Sequence, residues 1–214
     1  MKCVIIAGGN VDGSKKMIDL IRGCDLIICA DGGAGHLRRY NLLPHAVIGD
    51  FDSIQADDKA FFTSKGVELL AFPPQKDKTD SELCIDYALK KKATDITLLG
   101  STGTRLDHTL ANIFLLRKLC LKKIQARIID RFNEIHVVTR SICLNGAPGD
   151  YVSLIPISET VEGITLKGLA YPLTDACIAM GSSLGISNCF KDSVARIDIA
   201  KGTLIVTKSR DNPL

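Results

Sequence analysis

The feature of this chain that most limits its possible folds is a regular alternation of two hydrophobic patterns. Short runs rich in Val and Ile occupy residues 3–7, 26–30, 46–49, 67–72, 96–99 and 126–129. Between them, apolar residues recur three and four positions apart, as in amphipathic helices, over residues 14–21, 34–40, 56–65, 79–91 and 108–119. Strands that alternate with helices form parallel sheets with helices on both faces. The sequence therefore predicts a doubly wound α/β domain with a mainly parallel sheet.

The pattern changes after about Glu134, where no helical periodicity remains. Short alternating segments take its place, at residues 136–139, 151–156, 164–166, 195–199 and 204–208. Gly and Pro separate these segments, which is typical of an antiparallel β sandwich or barrel. We therefore expect an α/β domain over residues 1–134 and a β domain over residues 135–214.

Composition limits the classes of function. The chain has 214 residues, with 27 Lys and Arg against 24 Asp and Glu, and this balance does not favour a nucleic-acid partner. No apolar run approaches the length of a membrane span, so we expect no membrane association. The eight cysteines include no C-x-x-C pair and several lie in apolar runs, which favours reduced, buried thiols over a zinc site. These features predict a soluble, cytoplasmic protein.

The residues that follow the predicted strands are the best candidates for a functional site. Ligands of open parallel sheets bind beyond the carboxyl ends of the strands, where this chain has glycines, aspartates and basic residues. The segments concerned are residues 8–10, 31–33, 49–53, 76–80 and 100–105. Glycines let a backbone approach phosphate closely, and a helix that follows adds unpaired N–H groups. Each segment alone could equally be a tight turn, and no P-loop sequence is present.

Three aspartates, Asp50, Asp52 and Asp80, predict a magnesium site. Asp50 and Asp52 flank Phe51, so an extended segment would direct both carboxylates to one side and the ring toward the core. Mg²⁺ binds a few carboxylate oxygens together with substrate phosphates, and Asp80 would join from the neighbouring strand end. A helix cap at Asp52 and a first-turn acid at Asp80 are the alternatives. The convergence of the three carboxylates favours the metal.

The segment before the fourth predicted helix offers groups for a phosphate. Lys76 and Lys78 could neutralise phosphate or remain solvated. Thr79 is expected to cap the helix, with Glu82 at the capping-box position.

A second basic segment opens the last helix of the α/β domain. Arg105 can form a forked contact with phosphate, and Asp107 can orient Arg105 or accept from a base or ribose. A lone histidine at a helix start is more often structural than catalytic, so we do not assign His108 the role of general base.

Taken in order, five motifs resemble those of the thiamine pyrophosphokinase family over nearly the whole chain. They are ADGGA at residues 30–34, GDFDS at 49–53, DKTD at 77–80, GTRLDH at 103–108 and GSSLGISN at 181–188. The resemblance implies a catalytic α/β domain, a thiamine-binding β domain, and a homodimer whose thiamine site lies between subunits. The implied reaction is Mg²⁺-dependent transfer of the pyrophosphoryl group of ATP to the hydroxyl of thiamine, which releases AMP.

The resemblance also implies roles for individual residues. Asp50, Asp52 and Asp80 would hold Mg²⁺, and Asp80 or Asp77 would accept the proton of the reacting hydroxyl. The candidate nucleotide-binding residues are Asp31, Gly32, Gly33, Lys76, Thr79, Gly103, Arg105, Asp107 and His108.

In the β domain, Tyr171, Ser187 and Asn188 match segments implied to line the thiamine site. An aromatic face at Tyr171 suits a cationic thiazolium, although the ring could instead pack inside the sandwich. The family's bacterial pattern often has Lys where this chain has Ala170.

Two other functions remain open at this point. A different magnesium-dependent nucleotide enzyme would release AMP or pyrophosphate without thiamine. A regulatory module would bind ligand without turnover, and it would leave the three converging aspartates without a purpose.

Overall fold

The computed structural model describes residues 1–75 and 77–211, so the candidate phosphate ligand Lys76 lies outside the described residues. The chain divides into two units, Met1–Arg131 and Phe132–Leu214. The predicted fold class is confirmed, because the first unit contains a parallel sheet with helices and the second contains antiparallel sheets.

The described residues of the first unit form six strands and five helices. The strands are β1 (Lys2–Ile6), β2 (Leu26–Ala30), β3 (Ala46–Gly49), β4 (Glu68–Ala71), β5 (Asp95–Leu99) and β6 (Gln125–Ile129). The helices are α1 (Lys15–Arg22), α2 (Ala34–Arg39), α3 (Ala56–Ser64), α4 (Asp80–Lys90) and α5 (Leu106–Leu121), and a 3₁₀ turn over Asp31–Gly33 precedes α2. Each predicted element of this unit is present, and the ends differ by no more than two residues.

The strand order in the first unit is β6-β5-β1-β2-β3-β4, and every pair is parallel. The chain moves outward from β1 through β4 and then returns to place β5 on the other side of β1. Such a reversal leaves a crevice at the carboxyl ends of the two strands, where open α/β sheets bind their ligands. The topology therefore places the segments after β1 and β5 beside each other.

Alternate strand residues supply the two faces of the parallel sheet. Val4, Ile6 and Val47 pack with Phe62 of α3 and with buried residues of α1 and α2 in one cluster. Their neighbours along the strands, such as Ile5, point to the opposite face, where α4 packs against β1, β2 and β3. Burying one such aliphatic side chain stabilises a fold by about 1.5 to 3 kcal/mol, so these two layers hold the strand ends in place.

Side-chain caps define where two helices begin. The Ser14 hydroxyl accepts a hydrogen bond from the Met17 N–H and caps α1. The Thr79 hydroxyl accepts from the Glu82 N–H at 3.3 Å and caps α4, as the sequence predicts. Each cap satisfies an N–H group that the first helical turn leaves without a partner.

The described residues of the second unit form two four-stranded antiparallel sheets. The strands are β7 (Asn133–Val138), β8 (Ser141–Asn145), β9 (Tyr151–Pro156), β10 (Thr160–Lys167), β11 (Ala176–Ala179), β12 (Asn188–Cys189), β13 (Val194–Asp198) and β14 (Leu204–Ser209). One sheet has the order β12-β9-β14-β7 and the other has the order β11-β10-β13-β8. Leu154 and Val206 from the first sheet pack with Leu166 and Ile197 from the second in one buried cluster, as in a sandwich.

Strands β8, β11 and β12 are missing from the predicted set. Strand β12 has two residues, and in the four-residue β11 only Ile178 is buried, so neither shows an alternating pattern. In β8, a single residue, Leu144, is fully buried. Pairing with neighbouring strands, not local sequence, makes these segments strands.

No helix within the described ranges has both the length and the apolar character that crossing a bilayer requires.

Candidate active site

A cavity of about 390 Å³ lies at the carboxyl edge of the parallel sheet. The segments that follow β1, β2, β3 and β5 line it, together with the first turn of α4. The structure thus brings together eight of the residues predicted from sequence: Asp31, Gly32, Asp50, Thr79, Asp80, Gly103, Arg105 and His108. Among the described residues, the lining does not include Gly33, Asp52, Asp77 or Asp107.

Two glycines allow the loops at this edge to pack backbone against backbone. A Cβ at Gly9 would lie 2.4 Å from the carbonyl oxygen of Thr102, and a Cβ at Gly33 would lie 2.4 Å from the carbonyl oxygen of Ile6. Both distances are far shorter than a carbon–oxygen contact allows. Gly33 therefore has a packing role, and it lies behind the cavity and not in its lining.

Three carboxylates form a cluster at the rim. One oxygen from each of Asp31, Asp50 and Asp52 lies within 4.8 Å of the others. Sequence reasoning grouped Asp80 with Asp50 and Asp52 and placed Asp31 with the nucleotide. The geometry adds Asp31 to the cluster, and Asp80 lines the same cavity.

Asp31 lies in an environment that disfavours a negative charge. The Asp31 residue is 4% exposed. Its burial raises its pKa, and the nearby Asp80 carboxylate adds to this rise. Hydrogen bonds from the backbone N–H groups of Gly32 and Ser53 act in the opposite direction. Its Oδ1 accepts from the Gly32 N–H at 2.6 Å, whereas its buried Oδ2 has no hydrogen-bond partner among the described residues. A buried carboxylate oxygen without a donor, next to two further carboxylates, suits a hard cation.

The segment that carries Asp50 and Asp52 is not extended, contrary to the sequence prediction. Phe51 has a φ of 62°, in the left-handed region. Its ring still packs against the core on the α1–α3 face. The left-handed residue turns the chain between the two acids, so that the Asp52 N–H approaches Asp50 Oδ1 at 3.4 Å. A non-glycine residue in this conformation costs about 1 kcal/mol or more, a strain often found at functional sites.

Arg105 and Asp107 form an ion pair at the mouth of the cavity. The Arg105 Nη2 donates to Asp107 Oδ2 at 2.6 Å, and both side chains are largely exposed. The Arg105 guanidinium lowers the pKa of Asp107. Arg105 and His108 line the cavity, and Asp107 is paired with Arg105.

Hydrogen bonds join the segment before α4 to that helix and join α4 to α5. Lys78 Nζ donates to Asp86 at 2.6 Å, and Lys118 of α5 donates to Glu82 at 2.8 Å. Lys78 is therefore engaged within the protein. Asp77 is exposed.

Sequence reasoning missed a buried polar pair behind the β5–α5 loop. Asn112 Nδ2 donates to the Ser101 carbonyl at 2.8 Å, and both residues are almost fully buried. The Thr102 hydroxyl donates to Asp130 at 2.9 Å. The one available signal was an asparagine inside an otherwise apolar helical pattern, because a buried amide needs partners.

In the second unit, Asn188 holds the segment that carries Tyr171. The Asn188 amide donates to the Tyr171 carbonyl at 2.7 Å and accepts from the Tyr171 N–H at 3.0 Å. The Tyr171 residue is 68% exposed, so its ring does not pack inside the sandwich. Ser187 has a φ of 56°, and its N–H donates to Ser153. Asn188 thus presents Tyr171 on the surface.

Two family models match the chain. The model described as "Thiamin pyrophosphokinase, catalytic domain" matches residues 17–129. The model described as "Thiamin pyrophosphokinase, vitamin B1 binding domain" matches residues 134–204. Together they account for most of the sequence.

Individual proteins give the same result. A thiamine pyrophosphokinase of Bacillus subtilis is 35% identical over 225 residues, which cover 99% of this chain and all of the relative. The crystal structure of the Bacillus subtilis protein superposes with a TM-score of 0.88 at 33% identity, covering 99% of this chain and 100% of the other. The crystal structure of thiamin pyrophosphokinase from Geobacillus thermodenitrificans superposes with a TM-score of 0.86 at 33% identity, covering 99% of both chains.

More distant structures share the fold. Yeast thiamin pyrophosphokinase, at 19% identity, has a TM-score of 0.84 and covers 97% of this chain. With both domain models matched in order and a relative aligned along its whole length, the chain belongs to the thiamin pyrophosphokinase family.

Proposed function

We propose that this chain is a thiamine pyrophosphokinase, which transfers the pyrophosphoryl group of ATP to the hydroxyl of thiamine and yields thiamine diphosphate and AMP. This is the known reaction of its family. The observation that carries the proposal is the Asp31, Asp50 and Asp52 cluster beside a cavity at the topological switch point. Carboxylates and glycine-rich loops at that position are suited to a metal-bound polyphosphate.

We assign the two steps of recognition to the two domains. Residues 1–134 would bind ATP and carry the chemistry, and residues 135–214 would bind thiamine. The match of the vitamin B1 binding model to residues 134–204 supports the second assignment.

Mg²⁺ is the metal we propose for the acidic cluster. Asp31 Oδ2, which has no hydrogen-bond partner in the described part of the chain, and the neighbouring carboxylates of Asp50 and Asp52 fit a hard cation better than a soft one, because oxygen ligands predominate. Asp50 and Asp52 would hold the ion, with Asp31 or Asp80 as a further ligand. When bound, the ion would neutralise charge on the phosphates.

The residues of this chain would act mainly by positioning and by neutralising charge. Arg105 and His108 line the cavity, where Arg105 would fork onto phosphate oxygens while Asp107 orients its guanidinium. Gly32, Gly103 and Thr79 would contact the nucleotide as further parts of the lining.

In the transfer, the thiamine hydroxyl oxygen would form a bond to the β-phosphorus of ATP. The bond from that phosphorus to the oxygen that bridges it to the α-phosphorus would break. The electron pair of this bond would leave with AMP. A carboxylate would take the hydroxyl proton. Asp80 lines the cavity and Asp77 does not belong to the described lining, so we favour Asp80 for this role.

Thiamine would bind in a homodimer, with its pocket between subunits. An exposed Tyr171 supports this arrangement, because an aromatic face open to a partner can cover a cationic thiazolium. Leu106, Leu110 and Phe114 form an exposed apolar stripe on α5, with Leu121 at its end. A second copy of the chain would cover such a stripe.

We place the protein in the cytoplasm. All eight cysteines lie in the described part of the chain and no disulfide joins any of them, as in a reducing compartment.

One experiment tests the proposed function. The protein is incubated with ATP, Mg²⁺ and thiamine, and the products are identified by mass. Thiamine diphosphate together with AMP supports the proposal, whereas thiamine monophosphate with ADP indicates a simple kinase. Nucleotide breakdown that does not need thiamine indicates a hydrolase, and ligand binding without turnover indicates a regulatory module.

A further inference from the structure

Two side chains of the α2 segment hold the loop that follows β1. His36 Nε2 lies 2.8 Å from the carbonyl oxygen of Gly9. The Tyr40 hydroxyl donates to the carbonyl oxygen of Val11 at 2.9 Å. Because His36 and Tyr40 are four residues apart, they lie on the same side of α2, toward its C-terminal end. Both contacts reach the same short stretch of loop.

The protonation of the His36 ring follows from its partner. A carbonyl oxygen can only accept, so Nε2 carries a proton and donates to Gly9. The other ring nitrogen, Nδ1, is buried and has no hydrogen-bond partner among the described residues. The bond to Gly9 is thus the polar contact that fixes this ring.

Gly9 is also fixed from the opposite side. Its N–H donates to the Gly100 carbonyl oxygen at 2.8 Å, and any Cβ would meet the carbonyls of Gly100 and Thr102. Gly9 is therefore enclosed between α2 and the loop that follows β5. Gly8 and Gly9 line the candidate nucleotide cavity, whereas His36 and Tyr40 do not.

The Tyr40 ring supports the far end of the same loop. A Cβ at Gly13 would lie 2.6 Å from Tyr40 Cε1, so the chain at Gly13 runs directly over the ring. Gly9, Val11 and Gly13 are consequently all held by α2 and by Tyr40 at its C-terminal cap. A loop fixed in this way loses little further conformational entropy when a ligand binds.

We propose that His36 and Tyr40 are positioning residues for the nucleotide site, which hold the loop of residues 8–13 in the conformation that receives ATP. They act through the Gly9 and Val11 carbonyls and do not touch the nucleotide. This inference rests on the proposed function, because it takes ATP as the ligand of the cavity.

The test compares His36→Leu and Tyr40→Phe with two matched controls. His45→Leu removes another histidine–backbone hydrogen bond, from the Ile27 N–H to His45 Nδ1, and Tyr87→Phe removes another tyrosine hydroxyl bond, to Glu68. None of the residues in these control pairs lines the cavity. ATP affinity is measured by calorimetry with Mg²⁺ and without thiamine, and KM is measured for both substrates.

His36→Leu and Tyr40→Phe are each expected to weaken ATP binding about tenfold, as the loss of one hydrogen bond can do. The KM for thiamine should stay unchanged, and amide exchange in residues 8–13 should accelerate. His36→Gln should restore most of the affinity, because its amide nitrogen can donate from the position of His Nε2. The two controls should bind ATP like the unmodified protein.

Equal ATP affinity in His36→Leu and His45→Leu would overturn the proposal, as would variants that lose thermal stability but keep normal ATP affinity. If His36→Leu does not fold, Tyr40→Phe decides the question, because it removes a single hydroxyl. Failure of the proposed function has a different signature. The unmodified protein would then make no thiamine diphosphate, whatever the variants do to ATP binding.

Discussion

Asp31 lies where its surroundings disfavour the ionised carboxylate. Burial and the Asp80 and Asp50 carboxylates raise its pKa, and one of its oxygens has no donor among the described residues. Such a group opposes folding of the metal-free protein, and a bound cation would relieve it. Stability and activity therefore make opposite demands on this position.

Asp31→Asn should separate these two effects. The amide removes the negative charge but still offers an oxygen to the Gly32 N–H, so we expect the metal-free protein to unfold at the same or higher denaturant concentration. Turnover should fall roughly 100-fold, the usual scale for removing one electrostatic contact to a transition state. Urea unfolding and steady-state rates check this, with the exposed Asp19→Asn on α1 as control. A variant with normal turnover would remove Asp31 from the site.

At the scale of elements, the β7–β14 ladder carries a half-buried ion pair between Glu134 and Lys208. Glu134 lies opposite Lys208, and Lys208 Nζ is 2.9 Å from Glu134 Oε2. His136 Nε2 is 3.1 Å from Glu134 Oε1. Hydrogen bonding from His136, and then from Lys208, lowers the pKa of Glu134 from 4.5 to about 2. A depressed carboxylate pKa stabilises the fold above the unfolded pKa, and this contribution disappears as pH falls from 4.5 toward 2.

Glu134→Gln should therefore destabilise the protein in a pH-dependent manner. Because Glu134 is partly open to solvent, we expect a loss of only about 1 to 2 kcal/mol at neutral pH. The difference from the unmodified protein should vanish near the lowered pKa. Urea unfolding over that range measures it, and Glu162→Gln, in an exposed pair with Lys201, is the control. A difference that stays constant with pH would contradict the assignment.

Helix α5 has two faces with different tasks. Asn112, Leu116 and Leu119 are buried on the sheet side. On the other side Leu106, Leu110 and Phe114 are exposed in succession, four residues apart. A stripe of this kind is normally covered by a partner.

Phe114→Lys should convert the proposed dimer to monomer. Phe114 is 52% exposed in the single chain, and a charge there would be buried without a partner in the dimer. Sedimentation velocity checks the mass, and the KM for thiamine should rise if the pocket lies between subunits. Leu43→Lys, at another exposed leucine, should leave both unchanged. A dimer that survives Phe114→Lys would place the interface elsewhere.

At the scale of the whole molecule, periodicity predicted the six strands and five α-helices that the structure describes in the first unit, because both faces of its sheet are buried. It also predicted which strand ends meet. The position of Asp31 beside Asp50 was not predictable, since it depends on how the ends of β2 and β3 lie in space. The left-handed Phe51 and the Asn188–Tyr171 contact likewise depend on tertiary packing, and a single sequence gives no pattern for them.

Mg²⁺ should stabilise the whole protein if the acidic cluster binds it. An ion at 100 times its dissociation constant adds about 2.7 kcal/mol to the free energy of unfolding. Asp50→Asn and Asp52→Asn should fold normally, lose this stabilisation and lose transfer activity. Thermal unfolding with and without Mg²⁺ measures the effect. Near-normal turnover in both variants would contradict the metal assignment.

The close approach of Gly9 to the Thr102 carbonyl limits how this site can change over evolution. Where backbones touch, even one added methyl group must displace a second loop, so no gradual series of substitutions leads away from glycine. A new nucleotide preference would therefore have to arise through rim side chains such as Arg105 and His108, which can be exchanged without moving the loops. The scaffold of the cavity would be inherited unchanged while its selectivity drifts.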